Sequence, residues 1–353
     1  MRERVRSETR DVEGYKVKRA AQNLIMLGCC CLTAGSPVVA EQSTYPRPPA
    51  PENVTISNGG LSITFNISWG AVVVAISNDK VAHGLNIVDT HDVERELQVD
   101  QFLHLLIEGH ESLMINPTQA GALGRQAFYM HPVGIRIPEV GSKVEQYKAG
   151  SSDFQAIISP LDYDTGKPTK WVYVEDVRIS DQGVARFHFS FYNHETATYL
   201  LESEVPTLYS DWTDAFLYPT VSPYDSTLAS YRDRTNGDWP VRMIHAGRWP
   251  AGHLRSHGWI ANIDTKDNVG IFYTTPVGHP ETYGTFPNAA FSGREPLGKS
   301  NVTTGKITCY PEDAYSIEYS VLVSTIKDGP SLISKQPAAI VKVLRNAPPR
   351  VSK

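Results

Sequence analysis

Between residues 84 and 121 the chain reads GLNIVDTHDVERELQVDQFLHLLIEGHESLMINPTQAG, with more polar side chains than solubility demands. His91, Asp92, Glu94, Arg95, Glu96 and Gln98 fall within eight positions. A strand beginning near Val93 puts Glu94, Glu96, Gln98 and Asp100 on one face and Val93, Arg95, Leu97 and Val99 on the other. Such a face is either a solvated sheet surface, with Arg95 in an exposed ion pair, or a binding site. The preceding turn speaks for the site, because Asp89, His91 and Asp92 bring two carboxylates and an imidazole to the strand's entrance. A carboxylate beside His or Arg acts as acid, base or hydroxyl acceptor, depending on how burial moves its pKa. Asn116 and Gln119 follow in the turn NPTQAG. Their amides donate and accept at once, the property that sugar hydroxyls call for, although Asn before Pro also caps turns for structural reasons alone.

A second cluster, RMIHAGRWPAGHLRSHGWIANID at residues 242–264, carries His245, Arg248, Trp249, His253, Arg255, His257 and Trp259. Three readings stand side by side. The histidines could bind zinc, but His253 and His257 have the HxxxH spacing in a Gly-rich loop rather than on a helix, so no metal and no cofactor is expected. A histidine could be a general acid or base beside the stacking platforms Trp249 and Trp259, with Tyr283 as a third. Or these are structural loop residues. SDWTDAF at 210–216 adds Asp211 and Asp214 around Trp212. GxSxG, Gly-rich phosphate loops and CxxC are all missing from the sequence, so serine hydrolase, kinase and dehydrogenase readings lack support.

The elements that would hold these residues are strands. Period-two runs recur at 61–70, 71–77, 170–180, 184–193, 268–275 and 316–325, mostly bounded by Gly, Pro, Asn or Asp. In VARFHFSFYN, Ala185, Phe187, Phe189 and Phe191 face one way, and His188 and Ser190 the other, making His188 a half-exposed strand residue. SNGG at 57–60, SDQG at 180–183 and TKDN at 265–268 read as hairpin turns, and YNHETA at 192–197 as a further one. Residues 206–262 alternate poorly and read as long loops over one end of the fold. The pattern predicts an all-β, antiparallel β-sandwich as a single domain over 54–345, preceded by a Pro-rich spacer at 41–53 and followed by a tail at 346–353.

Residues 1–40 read as an export signal. Lys16, Lys18 and Arg19 precede an apolar core from Leu24 to Leu32, and Val38-Val39-Ala40 offers small residues for cleavage. That core is shorter than the about 20 residues a membrane span needs. The expectation is a secreted or periplasmic protein, with a lipid tether at Cys29 as the alternative. Cys29, Cys30 and Cys31 lie inside the signal, which leaves Cys309 without a disulfide partner, as a small buried residue. The whole chain has a net charge of −5, and residues 1–40 hold seven Lys/Arg and four Asp/Glu, so the remainder sits near −8. With no basic stripe, nucleic acid is excluded as a partner.

The run GGLSITFNISWGAVVVAISN at 59–78 is an alternating strand, a Trp-Gly turn and a second apolar strand, with the polar strand after it. It resembles the start of galactose-mutarotase-like β-supersandwich domains, which occur in sugar epimerases, glycoside hydrolases and polysaccharide lyases. The resemblance covers the first 80 or so residues after the signal and is one of layout. It implies a His acid and a Glu base in the mutarotase case, yet the family's His-Pro step is matched only as dipeptides, at His131-Pro132 and His279-Pro280. With the export signal, it points to an extracellular poly- or oligosaccharide rather than a free sugar. Hydrolysis needs a carboxylic acid on the leaving oxygen and a carboxylate as nucleophile or base, for which Asp92, Glu96 and Asp211 are candidates. Elimination from a uronic glycan would use His253 or His257 for the proton and Arg95 or Asn116 for the substrate carboxylate. His91, Gln98, Gln119, Arg248, Trp249, Trp259 and Tyr283 would bind substrate. The alternative is a non-catalytic glycan-binding or cell-envelope surface protein on the same fold.

Overall fold

The computed structural model describes residues 52–81, 84–88, 97–105, 113–115, 142–161, 168–210, 213, 215–219, 227–230, 258–276, 285–287, 298–303 and 307–345. They belong to one compact unit, Pro46–Lys353. Its first strands are β1 (Asn53–Asn58), β2 (Leu61–Asn66), β3 (Val72–Asn78), β4 (Leu97–Leu105), β5 (Leu113–Ile115), β6 (Lys143–Ala149) and β7 (Asp153–Ser159). Then come β8 (Trp171–Ile179), β9 (Ala185–Asn193), β10 (Tyr199–Ser210), β11 (Ala215–Tyr218), β12 (Thr227–Ser230), β13 (Trp259–Asp264) and β14 (Val269–Thr274). β15 (Thr285–Pro287), β16 (Gly298–Thr303), β17 (Ile307–Cys309), β18 (Ala314–Thr325), the short helix α1 (Gly329–Ile333) and β19 (Ile340–Leu344) complete the described elements.

These strands form two antiparallel sheets. The first runs β1-β2-β3-β4-β10-β16-β15, with β5 on β4 and β17 on β10; the second runs β12-β11-β13-β14-β18-β9-β8-β7-β6, with β19 on β18. Each long strand of the second sheet repeats every two residues, so one face turns inward. From β8, Trp171, Tyr173 and Val177 join the core, from β9 Phe187, Phe189 and Phe191, and from β18 Tyr315, Ile317 and Tyr319. Ile56, Leu61, Ile63, Phe65 and Leu208 meet them from the first sheet. Phe65 on β2 stacks on Phe154 of β7 with ring centroids 3.9 Å apart, and Trp171 of β8 meets Tyr199 of β10 edge-on at 5.7 Å. Each such pair adds about 0.5–1.5 kcal/mol beyond the area it buries.

The alternating runs all become strands, and the three hairpin turns fall where the sequence puts them. Two expectations are corrected. YNHETA is not a hairpin, since β9 and β10 lie in different sheets; buried Asn193 holds this crossing by donating Nδ2 to the carbonyls of Ala197 and Tyr310 and accepting from the Glu195 N–H. The described parts of 206–262 are strands rather than long loops. Pro206 hides the continuation of β10: having no N–H to give a ladder, it sits where pairing on both sides skips from Glu204 to Thr207.

A second apolar layer lies on the outer face of the second sheet, where Ala215, Leu217, Trp259, Ala261, Ile263, Phe272 and Leu322 pack with Ile333 of α1. Beyond it that face is polar. Arg178 pairs bidentately with Asp176, Arg186 with Glu318, and exposed His188 shares a 2.8 Å hydrogen bond with Ser316 Oγ, as a solvated sheet surface does. Cys309 is fully buried, and burial pushes its thiol up to about 12.

At one end two hairpin turns from opposite sheets meet. Asn58 Nδ2 donates to the Ile179 carbonyl at 3.1 Å and to Asp181 Oδ1 at 2.9 Å. Gly59 has φ +60°, and a Cβ there would lie 2.2 Å from the Gly183 backbone nitrogen. Gly59→Ala must push the turns apart as well as strain its own backbone. It is expected to cost about 1–3 kcal/mol of unfolding free energy, read as a lower urea midpoint; an unchanged midpoint would mean that the turns do not touch.

Candidate functional site

The carboxyl end of β10 is where described chain from the expected site segments converges. Leu208 pairs with Leu97 of β4 and Thr207 with Gln98 on one side; Leu208 pairs with Ser300 and Ser210 with Gly298 of β16 on the other. Ser210 also forms an antiparallel bridge with Val88. Val88 is delivered by Asn86, whose side chain imitates a strand. Asn86 Oδ1 accepts the N–H groups of Ile76 and Val88, and Nδ2 donates to the carbonyls of Val74 and Val88, at 2.9–3.3 Å. Val88, Leu97 and Leu208 are buried, so this junction is part of the core.

The junction is tied across the sandwich by polar groups. Asn262 on β13 of the second sheet donates Nδ2 to Ser210 Oγ at 2.7 Å, and Ser210 Oγ lies 2.7 Å from Thr213 Oγ1. None of the three is more than 1% exposed. Neighbouring Ile260 faces the core between the sheets, so alternation aims Asn262 inward, toward β10. Hydrogen bonds of this kind give about 1 kcal/mol each, whereas a buried polar group left without its partner costs about 1–3 kcal/mol. The arrangement fixes where the chain leaves β10. An isolated Ser, Thr or Asn carries no signal in the sequence, and this trio was missed there.

Of the expected site residues, Asp211 directly follows Ser210, Glu96 directly precedes Leu97, and His91 and Asp92 come three and four positions after Val88. His91, Asp92, Arg95, Glu96, Asn116, Gln119, Asp211, Arg248, Trp249, His253, His257 and Tyr283 themselves lie outside the described residues; Gln98 is placed by its backbone alone, opposite Thr207. Trp259 is corrected. It is 1% exposed and packs on Phe272 at 5.8 Å between ring centroids, so it is a core residue with no face for a sugar. Its strand, WIANID, is buried on both faces and so lacks the period-two pattern by which the sequence shows a strand. Among the described residues no group of three His, Cys, Asp or Glu could hold a metal, and no helix is long and apolar enough to cross a membrane.

No protein-family profile and no curated protein matches the sequence. Similar solved structures include a galactose mutarotase/aldose epimerase homologue from C. elegans, 12% identical over 78% of this chain and 100% of that one, with a TM-score of 0.49. A galactose mutarotase-like protein from Clostridium acetobutylicum is 9% identical over 78% and 96%, at 0.46. A polysaccharide lyase is 12% identical over 78% of this chain and 34% of its own, at 0.41. The likeness is one of strand layout, and no residue role is carried over from it.

If the inter-sheet link holds the end of β10, Asn262→Ala and Ser210→Ala are coupled. Each is expected to lower the unfolding free energy by about 1–3 kcal/mol, and the double variant to lose at least 0.5 kcal/mol less than the two losses together. Additive losses in urea titrations would show that the two side chains act separately.

Proposed function

We propose that this chain is an exported carbohydrate-active enzyme that cleaves a glycosidic bond in a cleft at the carboxyl end of β10, with Asp92, Glu96 and Asp211 as its working carboxylates. What supports the reading is the pairing of Val88 and Leu97 with Ser210 and Leu208 at the last residues of that strand. Neighbouring strands lie about 4.8 Å apart. Asp92, Glu96 and Asp211 are one to four residues along the chain from these pairs, and glycoside hydrolysis uses two acids about 5–10 Å apart. One acid protonates the leaving oxygen, and a second carboxylate attacks the anomeric carbon or activates water. The buried Asn262–Ser210–Thr213 link gives Asp211 a fixed point of departure, the support such a group needs to hold its geometry. In this reading residues 1–40 direct export and are removed. Elimination is the corresponding reaction on a uronic glycan, with His253 or His257 as base.

The test is to incubate the protein with neutral and uronic polysaccharides while following reducing ends and the ultraviolet absorbance of an unsaturated uronate. Reducing ends without absorbance are expected. Asp211→Asn and Glu96→Gln should each cut the rate by about 10²–10⁴-fold, with urea midpoints unchanged. Full activity in both variants would remove the site from β10, and glycan retained without cleavage would make the protein a binding module.

A further inference from the structure

Three carboxylates are buried among the described residues: Glu175, Asp264 and Asp313. Two are provided for. Asp264 Oδ1 accepts the N–H groups of Lys266 and Asp267, and Asp313 accepts the Tyr310 N–H and an Arg345 guanidinium N–H. Glu175 is different. It lies on β8 between Tyr173 and Val177 on the inward face, opposite Ala156 of β7 and Phe189 of β9, and is 1% exposed. Its Oε2 has no hydrogen-bond partner among the described residues, nor have the hydroxyls of Tyr173 and Tyr319.

Among the described residues, the titratable groups that bear on Glu175 are phenols. Tyr173 lies on its own strand, Tyr319 comes from β18, and Tyr273 of β14 acts on Tyr319 in turn; the β7 and β9 residues paired with Glu175 are apolar. No Lys, Arg or His is among the buried described residues. An ion here would be cut off from water and would have no counter-charge among the described residues, and burial pushes the carboxyl well above the usual carboxylate range. A neutral acid, by contrast, carries no charge to desolvate, so it costs far less than an ion to hold beside apolar side chains and phenols.

We propose that Glu175 is a neutral carboxylic acid in the folded protein and works as an alkaline-sensitive latch on the sandwich, its loss of a proton loosening the packing of β8 and its neighbour β9 against the opposing sheet. The sign follows from proton linkage. Below about pH 4.3 the residue is protonated in both folded and unfolded chains and contributes no pH dependence. Above that pH the unfolded chain releases the proton while the folded chain keeps it, so stability falls as pH rises until the folded-state carboxyl ionises as well.

The experiment compares urea unfolding of the full chain and its Glu175→Gln variant as a function of pH. Gln keeps the shape without the titration. The ratio of unfolding constants, wild type over variant, is expected to rise up to tenfold per pH unit above about pH 4.3. A ratio that stays flat from about pH 4.3 to 8 would overturn the proposal, because it would mean that Glu175 is already ionised in the folded state, held by the phenol hydroxyls. If the variant does not fold, infrared spectroscopy of the wild type decides. A protonated-carboxyl carbonyl band persisting near neutral pH supports the latch, and its absence from the folded protein overturns it.

Discussion

Everything in this molecule depends on two antiparallel sheets hiding one face each from water. A strand presents alternate residues to its two sides, so every inward position must be apolar or bring its own hydrogen-bond partner. Most positions take the first course, and the aromatic residues of β8, β9 and β18 fill the space between the sheets. The few that take the second do most to define the architecture. Asn262, Ser210 and Thr213 tie the sheets where β10 ends, Asn193 holds the chain as it changes sheets, and Asn78 donates from β3 to the Val323 carbonyl of β18. Among the described residues, Glu175 is the buried carboxylate with an oxygen, Oε2, that no hydrogen bond reaches.

The same constraint explains how a site can be placed. A strand that is central in its sheet and pinned to the other sheet has little freedom at its end. β10 meets this condition, with β4 and Val88 on one edge, β16 on the other, and Asn262 bonded to its last residue. Its irregularity at Pro206 lies a few residues back, where an extra residue shifts the register and changes the direction of the strand's end. Ser210 is thereby held in place, and the proposed acid–base chemistry would draw on a strand end held in this way.

Much of the fold was legible because strands buried on one face write their period into the sequence. VARFHFSFYN and KWVYVEDVRIS did so, and Gly-containing turns marked their ends. The misreadings have physical causes. Pro206 interrupts alternation without ending the strand, and WIANID is buried on both faces, so it shows no alternation to read. In KWVYVEDVRIS the acidic pair Glu175-Asp176 looks like surface, yet period two sends Glu175 inward and Asp176 outward to Arg178. Polar links such as Asn262 to Ser210 join positions far apart in the chain and leave no local trace. The cluster around His91 to Gln98 was noticed for its density of ionisable groups, and what the structure adds is the place where its flanks, Val88 and Leu97, meet β10.

The most direct test of that placement is hydrogen–deuterium exchange of the protein with and without a saturating oligosaccharide. The account predicts slowed exchange in peptides that include Val88, Leu97 and Ser210, with little change in β8, β9 and β18. Protection confined to the polar outer face around Asp176, His188 and Glu318, with none at the end of β10, would contradict it.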